Sequence, residues 1–212
     1  IASFNAALTR DAPGALIDDL RGGDDPHAMA IAEIIQSVRP DILLINELDR
    51  DAAGAGAALF SRLYLGVGQN GQDAIDYPHM LAPPVNTGVG SGQDLDGDGG
   101  IGGPGDAWGF GAFAGQYGMA IFSLWPVDTG AMRAFQTLPW RAMPGNLLDA
   151  PDPGGAPLTG PGGFYGAEAA EALRLSSKTH LDLPVIVGDA VIHVLVAHPT
   201  PPGFDGREDR NG

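Results

Sequence analysis

An α/β fold is predicted by three features of the chain. Residues 1–6 read as a short strand, a capped amphipathic helix follows, and Ile42, Leu43, Leu44 and Ile45 form a second strand, so the chain opens with a βαβ unit. The crossover in such a unit is almost always right-handed and its two strands are parallel. The second strand is apolar without alternation, as strands covered on both faces are, and it stops at an ionisable group, Glu47. Near the other end, residues 181–187 and 191–197 are apolar β-formers separated by Gly188-Asp189, a Gly-first pair suited to a type II′ hairpin turn.

Each element has a local cause. After the first strand a polar loop is expected, and then Asp25-Pro26 supplies an acceptor side chain at a helix cap and Pro at the first helical position. Ile31, Ile34, Ile35 and Val38 follow at helical spacing and define one face; Arg39-Pro40 ends the helix. Residues 52–65 read as a second helix, rich in Ala and weakened by Gly54 and Gly56. Strands are expected at 77–82, 118–122 and, weakly, 132–135. Two insertions interrupt this order. Residues 83–115 are Gly-rich and acidic, too long for an ordinary connection, and residues 139–166 are rich in Pro and Gly. In the last strand, alternation puts Ile192, Val194, Val196 and His198 on one face and Val191, His193 and Leu195 on the other.

With 212 residues the chain can bury one substantial core, and a single domain is expected over its whole length. It opens inside a strand and closes on Asn211-Gly212 without a final element, so it reads as the N-terminal part of a longer domain. Lys and Arg number 11 against 26 Asp and Glu, a net charge of −15. Long nucleic acid is therefore a disfavoured partner, because phosphate contacts need Lys and Arg. A small phosphorylated or lipid-phosphate substrate held through a cation suits the charge better. There is no cysteine, hence no disulfide framework and no thiolate metal site, and no apolar run long enough to span a membrane.

Three polar residues end three apolar strands: Asn5, Glu47 and His198. A carboxylate with an amide suits a hard cation such as Mg²⁺, which keeps waters and bridges to phosphate oxygens. A histidine nearby exchanges protons at neutral pH. Together they fit metal-assisted hydrolysis of a phosphate ester; taken singly, an Asn at a strand end is also a common turn former. In order along the chain, Ser-Phe-Asn-Ala at 3–6, Pro-Asp-Ile-Leu-Leu-Ile-Asn-Glu at 40–47, Gly-Met-Ala-Ile-Phe-Ser at 118–123 and His-Val-Leu-Val-Ala-His-Pro at 193–199 resemble motifs of the endonuclease/exonuclease/phosphatase superfamily. The resemblance implies a deoxyribonuclease I-like layered α/β sandwich of two facing mixed sheets with outer helices, incomplete at the C-terminus. It implies further that Asn5 helps place metal or phosphate, that Glu47 is the ligand of Mg²⁺ or Mn²⁺, and that His198 acts at the scissile phosphate. The superfamily's Asp-x-Asn pair and terminal Asp-His pair have no counterpart here, so the chain alone is expected to be inactive.

Two further groups stand out. Asp94, Asp96 and Asp98 with Gly99 occupy positions 1, 3, 5 and 6 of an EF-hand-type loop, the Gly100 carbonyl adds a seventh-position ligand, and Asp106 falls one residue beyond the usual closing acid. This loop is read as a Ca²⁺ site, the alternative being a solvated acidic loop. Because extracellular calcium saturates such a site most readily, a secreted or periplasmic location is expected. Lys178 and His180, ahead of the hairpin, are candidates to touch substrate phosphate, the alternative being an edge-strand Lys and a surface His. The function expected of the intact protein is that of a metal-dependent phosphoesterase. A secreted nuclease and a noncatalytic, calcium-stabilised binding module of the same fold are the alternatives.

Overall fold

The computed structural model describes residues 1–148, 159, 163 and 165–199. Much of the 139–166 insertion and the expected C-terminal end lie outside the described residues. Strands β1 (Ala2–Leu8), β2 (Ile42–Leu48), β3 (His79–Leu81) and β4 (Met119–Ser123) form one sheet in the order β1-β2-β4-β3. The β1/β2 pair is parallel, as the βαβ reading requires, and β4 runs antiparallel to both β2 and β3, so the sheet is mixed. Strands β5 (Arg133–Ala134), β6 (Leu181–Val187) and β7 (Ala190–Val196) form a second, antiparallel sheet.

Alternation along β2 and β4 divides the interior into two cores. Leu43, Ile45, Ala120 and Phe122 face a layer of helices: α1 (Ala15–Leu20), α2 (Pro26–Val38) and α3 (Ala55–Phe60). Ile42, Met119 and Ile121 face the other way and pack on Leu181, Leu183, Val185 and Val196 of the second sheet. The two sheets therefore face each other, with helices outside the first: the layered sandwich expected. A short helix α4 (Ala167–Ala172) precedes β6.

Several local expectations are corrected. The stretch expected to be a polar loop contains α1, whose Leu16 and Leu20 are buried against the helix layer; six residues with one i, i+4 pair of buried leucines give too short a pattern to read. The cap of α2 forms as expected, with the Asp25 carboxylate accepting from the Ala28 amide at 2.7 Å. Its buried face, however, is Ala28, Ile31, Ala32, Ile35 and Gln36, while Ile34 and Val38 are 50% and 63% exposed. Gln36 decides that rotation: its amide nitrogen donates to the carbonyls of Tyr64, Leu65 and Val67, and its oxygen accepts from the Gln69 amide. The single helix expected at 52–65 is α3 followed by one π turn, Ser61–Leu65, whose wider winding leaves carbonyls for Gln36 to cap. The 77–82 strand shrinks to three residues, and the 132–135 strand to two. At the hairpin tip Gly188 has φ +60° and Asp189 does not share that sign, as a type II′ turn requires.

The 83–115 insertion is fastened to the body. Asn86, fully buried, donates to the carbonyls of Gln136 and Ser176 and accepts from Arg174. Gly109 lies so close to the chain ahead of β6 that a Cβ there would sit 1.9 Å from the Ser177 carbonyl oxygen, so no larger residue fits without a shift. Both fastenings reach residues 176–178, the segment that leads to the site.

Candidate functional site

Glu47 owes its position to one backbone angle. Strand alternation would turn it to the same side as Ile45, into the helix-facing core. Instead it adopts φ +58°, a left-handed conformation uncommon for a residue with a side chain, after which Leu48 returns to that core. Two neighbours at this end of the sheet do the same: Ala7 in β1 at φ +48° and Tyr117 ahead of β4 at φ +54°. Such residues cost about 1–3 kcal/mol each and persist where the surroundings dictate them. Asp49, buried, is part of what dictates them. One of its oxygens accepts from the Arg10 amide at 2.7 Å and the other from the Tyr117 amide at 3.0 Å, tying the neighbouring loops to the end of β2. Burial pushes the Asp49 carboxyl up, and those two amides work against that shift.

Turned out of the helix core, Glu47 faces the second sheet. Its Oε1 lies 3.8 Å from Nε2 of His198, two residues past β7. The two motifs, one from each sheet, meet across the sandwich. Lys178 joins them: it is 9% exposed, burial lowers its pKa, and the Glu47 charge partly restores it. His198 is held below the usual histidine range, first by burial and then by the Lys178 charge, with Glu47 opposing both. Its Nδ1 is buried without a hydrogen-bond partner among the described residues.

The other expected residues fall less centrally. Asn5 does not end its strand, which runs on to Leu8: it pairs in register with Asn46, is exposed, and its side-chain oxygen accepts from the Ala7 amide at 3.2 Å, so it shapes the irregularity in β1 between Asn5 and Leu8. Asn46, not singled out from the sequence, has a better placed oxygen: buried, without a partner, and adjacent to Glu47, while its nitrogen donates to Ser3 Oγ at 3.3 Å. A second polar residue inside the Ile-Asn-Glu strand end was a signal that could have found it. His180 lies one residue short of β6 and lines a cavity on the far side of this segment, together with Ser177 and Pro199. Burial lowers its pKa as well.

The oxygens gathered here fit a hard divalent cation. Glu47 supplies a carboxylate with 27% of its side chain open, and the unpartnered Asn46 oxygen beside it offers a second donor or a partner for a bound water. In the acidic loop, Asp94, Asp96 and Asp106 bring one carboxylate oxygen each within 4.8 Å of one another. Asp98 is outside this group and accepts from the Gly100 amide at 2.7 Å. Asp106 is the anchor: it accepts from the amides of Leu95, Asp96 and Gly102, which hold its carboxyl below the usual range.

Residues 2–211 match the sequence model of the Endonuclease/Exonuclease/phosphatase family. Among solved structures, the crystal structure of endonuclease/exonuclease/phosphatase from Beutenbergia cavernae DSM 12333 aligns with 99% of this chain at 19% identity and a TM-score of 0.42. The chain covers 41% of that protein. No curated protein matches.

Proposed function

This chain belongs to the endonuclease/exonuclease/phosphatase family, whose members are generally hydrolases of phosphoester bonds that use divalent metals, and on that premise we propose that the intact protein hydrolyses a phosphate ester at Glu47 with Mg²⁺ or Mn²⁺. The approach of Glu47 to His198 across the two sheets, 3.8 Å, carries the reading. Water forms the new bond to phosphorus as the ester oxygen leaves with a proton. When bound, the cation supplies Lewis-acid stabilisation of the phosphoryl oxygens. Glu47 and the Asn46 oxygen are the groups of this chain that hold it, with Asn5 shaping the rim. Lys178 sets an ammonium beside the same carboxylate and neutralises charge that builds on phosphate. His198 offers a ring nitrogen to hold or pass a proton at the reacting oxygens.

The substrate class that suits the charge of −15 is a small or lipid phosphate ester in preference to long nucleic acid. Hydrolysis of generic phosphodiesters and phosphomonoesters by the intact protein, with Mg²⁺ and with EDTA, tests the reading. Glu47→Ala is expected to cost about 10²–10³-fold or more in kcat. Equal rates in parent and variant would remove Glu47 from the mechanism.

The acidic loop is proposed to bind Ca²⁺ through Asp94, Asp96 and Asp106, a reading supported by the convergence of the three carboxylates. Asp98 and Gly100 then shape the loop, where the sequence alone had suggested ligands. With that site, a secreted or periplasmic location and a calcium-stabilised body are proposed too. If hydrolysis is absent in every arm, a noncatalytic binding module of the same fold is the reading that replaces the enzyme.

A further inference from the structure

The end of the first sheet at which Glu47 stands is irregular on both sides of β2. Asn5 pairs with Asn46 and Leu8 with Leu48, so Ala6 and Ala7 of β1 stand opposite Glu47 alone. Two residues against one is a β-bulge, a feature that recurs beside active sites because it re-aims a side chain. Ala7, Glu47 and, on the β4 side, Tyr117 all take positive φ at this level. The three left-handed residues belong to one distortion shared by the ends of three neighbouring strands.

Asp49 lies two residues beyond Glu47 and is 7% exposed. Its backbone continues the sheet: its amide donates to the Leu8 carbonyl at 2.9 Å, and the amides of Leu48 and Arg50 donate to the carbonyls of Gly118 and Gly115. Its side chain works across β2. One oxygen takes the Arg10 amide, past the bulge, and the other takes the Tyr117 amide, so a single carboxylate bridges the loops on both sides of the strand. Those loops are also held from behind. The Arg10 guanidinium bonds to Asp19 and Asp25, and the buried Gln116 donates to the Arg10 carbonyl at 2.9 Å while accepting from the Ala112 amide. Arg10 and Tyr117 are thereby fixed points, and Asp49 ties β2 to both.

A carboxylate is costly to bury, and an apolar side chain would close this layer without that cost. An apolar side chain cannot accept an N–H from each side.

We propose that Asp49 is the positioning residue of the Glu47 centre: held between the Arg10 and Tyr117 amides, it locks the β1 bulge and the Tyr117 backbone in place, and so keeps Glu47 in the left-handed conformation that aims its carboxylate at His198. Its effect on rate rests on phosphate-ester hydrolysis at Glu47; its effect on the backbone of residue 47 does not, and the experiment reads the two apart.

Asp49→Asn is the variant to use. Asparagine has the same shape but one acceptor oxygen, and its NH₂ meets an N–H that it cannot accept, so one of the two bonds is lost. Chemical denaturation of the intact protein compares Glu47→Gly with Glu47→Ala, each with Asp49 present and each with Asp49→Asn. With Asp49 in place the glycine variant is expected to have the higher midpoint, since glycine takes positive φ freely. With Asp49→Asn the order is expected to reverse, because residue 47 is released to the extended conformation in which alanine is the better residue. The same order in both backgrounds overturns the proposal and leaves the hydrolase standing.

Rates give a second reading. Asp49→Asn is expected to lower kcat about 10–10²-fold at saturating Mg²⁺, the scale of loss that a misplacement of about 1 Å brings, and to change it less than about twofold when Glu47→Gln is already present. A structural defect that acts elsewhere costs the same factor in both backgrounds, and that result overturns the proposal too. Hydrogen exchange covers the case in which Asp49→Asn does not fold. Glu47→Val, whose branched side chain disfavours positive φ, is expected to expose the Arg10 and Tyr117 amides to exchange while Glu47→Gly leaves them protected, because coupling between two sites is reciprocal; equal protection in the two overturns the proposal. Reversal of the glycine and alanine order in a protein that cleaves no phosphate ester upholds Asp49 as the residue that aims Glu47 and overturns the hydrolase.

Discussion

Glu47 and the carboxylates of the 94–106 loop are held in opposite ways. Asp94 accepts from the amides of Gly97 and Gly99, Asp96 from that of Asp98, and Asp106 from three more, so each loop carboxylate is bonded to its own backbone. Among the described residues Glu47 has a 3.8 Å approach to a histidine, the charge of Lys178 nearby, and a left-handed backbone that aims it there. A carboxylate folded into its own loop builds local structure and binds a cation by completing that structure. A carboxylate kept off the backbone by strain is left open for a ligand that arrives from solution.

Predictions from this contrast run from large to small. Removing the charge at Glu47 without changing its size, as Glu47→Gln, should abolish most of the hydrolysis, about 10²–10³-fold in kcat, while the corresponding Asp94→Asn leaves kcat within about twofold, well inside RT of free energy. Similar losses from the two would erase the distinction. Next, Ca²⁺ at a hundredfold excess over its Kd should raise stability by about 2.7 kcal/mol, or about 5–10 °C in thermal midpoint for a chain of this length, relative to EGTA. The increment should vanish in the Asp96→Ala, Asp98→Ala double variant, and a parent indifferent to Ca²⁺ would end the calcium reading. With it would go the argument for an extracellular location.

A smaller effect tests the strain. Glycine costs nothing at φ +58° and alanine does, so Glu47→Gly should be more stable than Glu47→Ala by about 1 kcal/mol, the reverse of their usual order in a strand. Chemical denaturation of both variants measures it. The smallest effect concerns pH. The folded-state pKa of Asp106 is depressed below its ordinary 3.8, so its contribution is present above that value and is lost as pH falls through the lower folded one. In EGTA, the thermal midpoint of the parent should therefore fall more steeply below about pH 4 than that of Asp106→Asn; parallel curves would refute it.

Much of the frame could be read from the chain because it is locally written. The Asp25 cap, the apolar run of β2 and the Gly188 turn each depend on a few adjacent residues, and each formed where expected. The face of α2 could not be read, because Gln36 is buried by carbonyls about 30 residues away, a partner that no helical period announces. Glu47 and His198 could be grouped from the sequence as polar residues ending apolar strands, and the resemblance of their motifs strengthened the grouping; nothing in either strand gives the geometry of their meeting. The cavity was not legible at all. Trp108 and Arg174 are 66 positions apart in the chain and meet because Asn86 and Gly109 fasten an insertion to the segment ahead of β6.

That fastening has a consequence for how the molecule comes together in time. The helix-facing core is built mostly from residues 6–77, whereas Asn86 must find Ser176 and Gln136, and Glu47 must find His198, across loops of 50 to 151 residues. Closing long loops is slow, and contacts of that separation come late in folding. The first layer can acquire protection from hydrogen exchange while residues 86–109 and 176–198 still exchange freely, and a pulse-labelling experiment would show the two groups separating. Competence at Glu47 would then lag behind compactness, and a mutation such as Gly109→Ala would slow the arrival of an assembled site far more than the collapse of the chain.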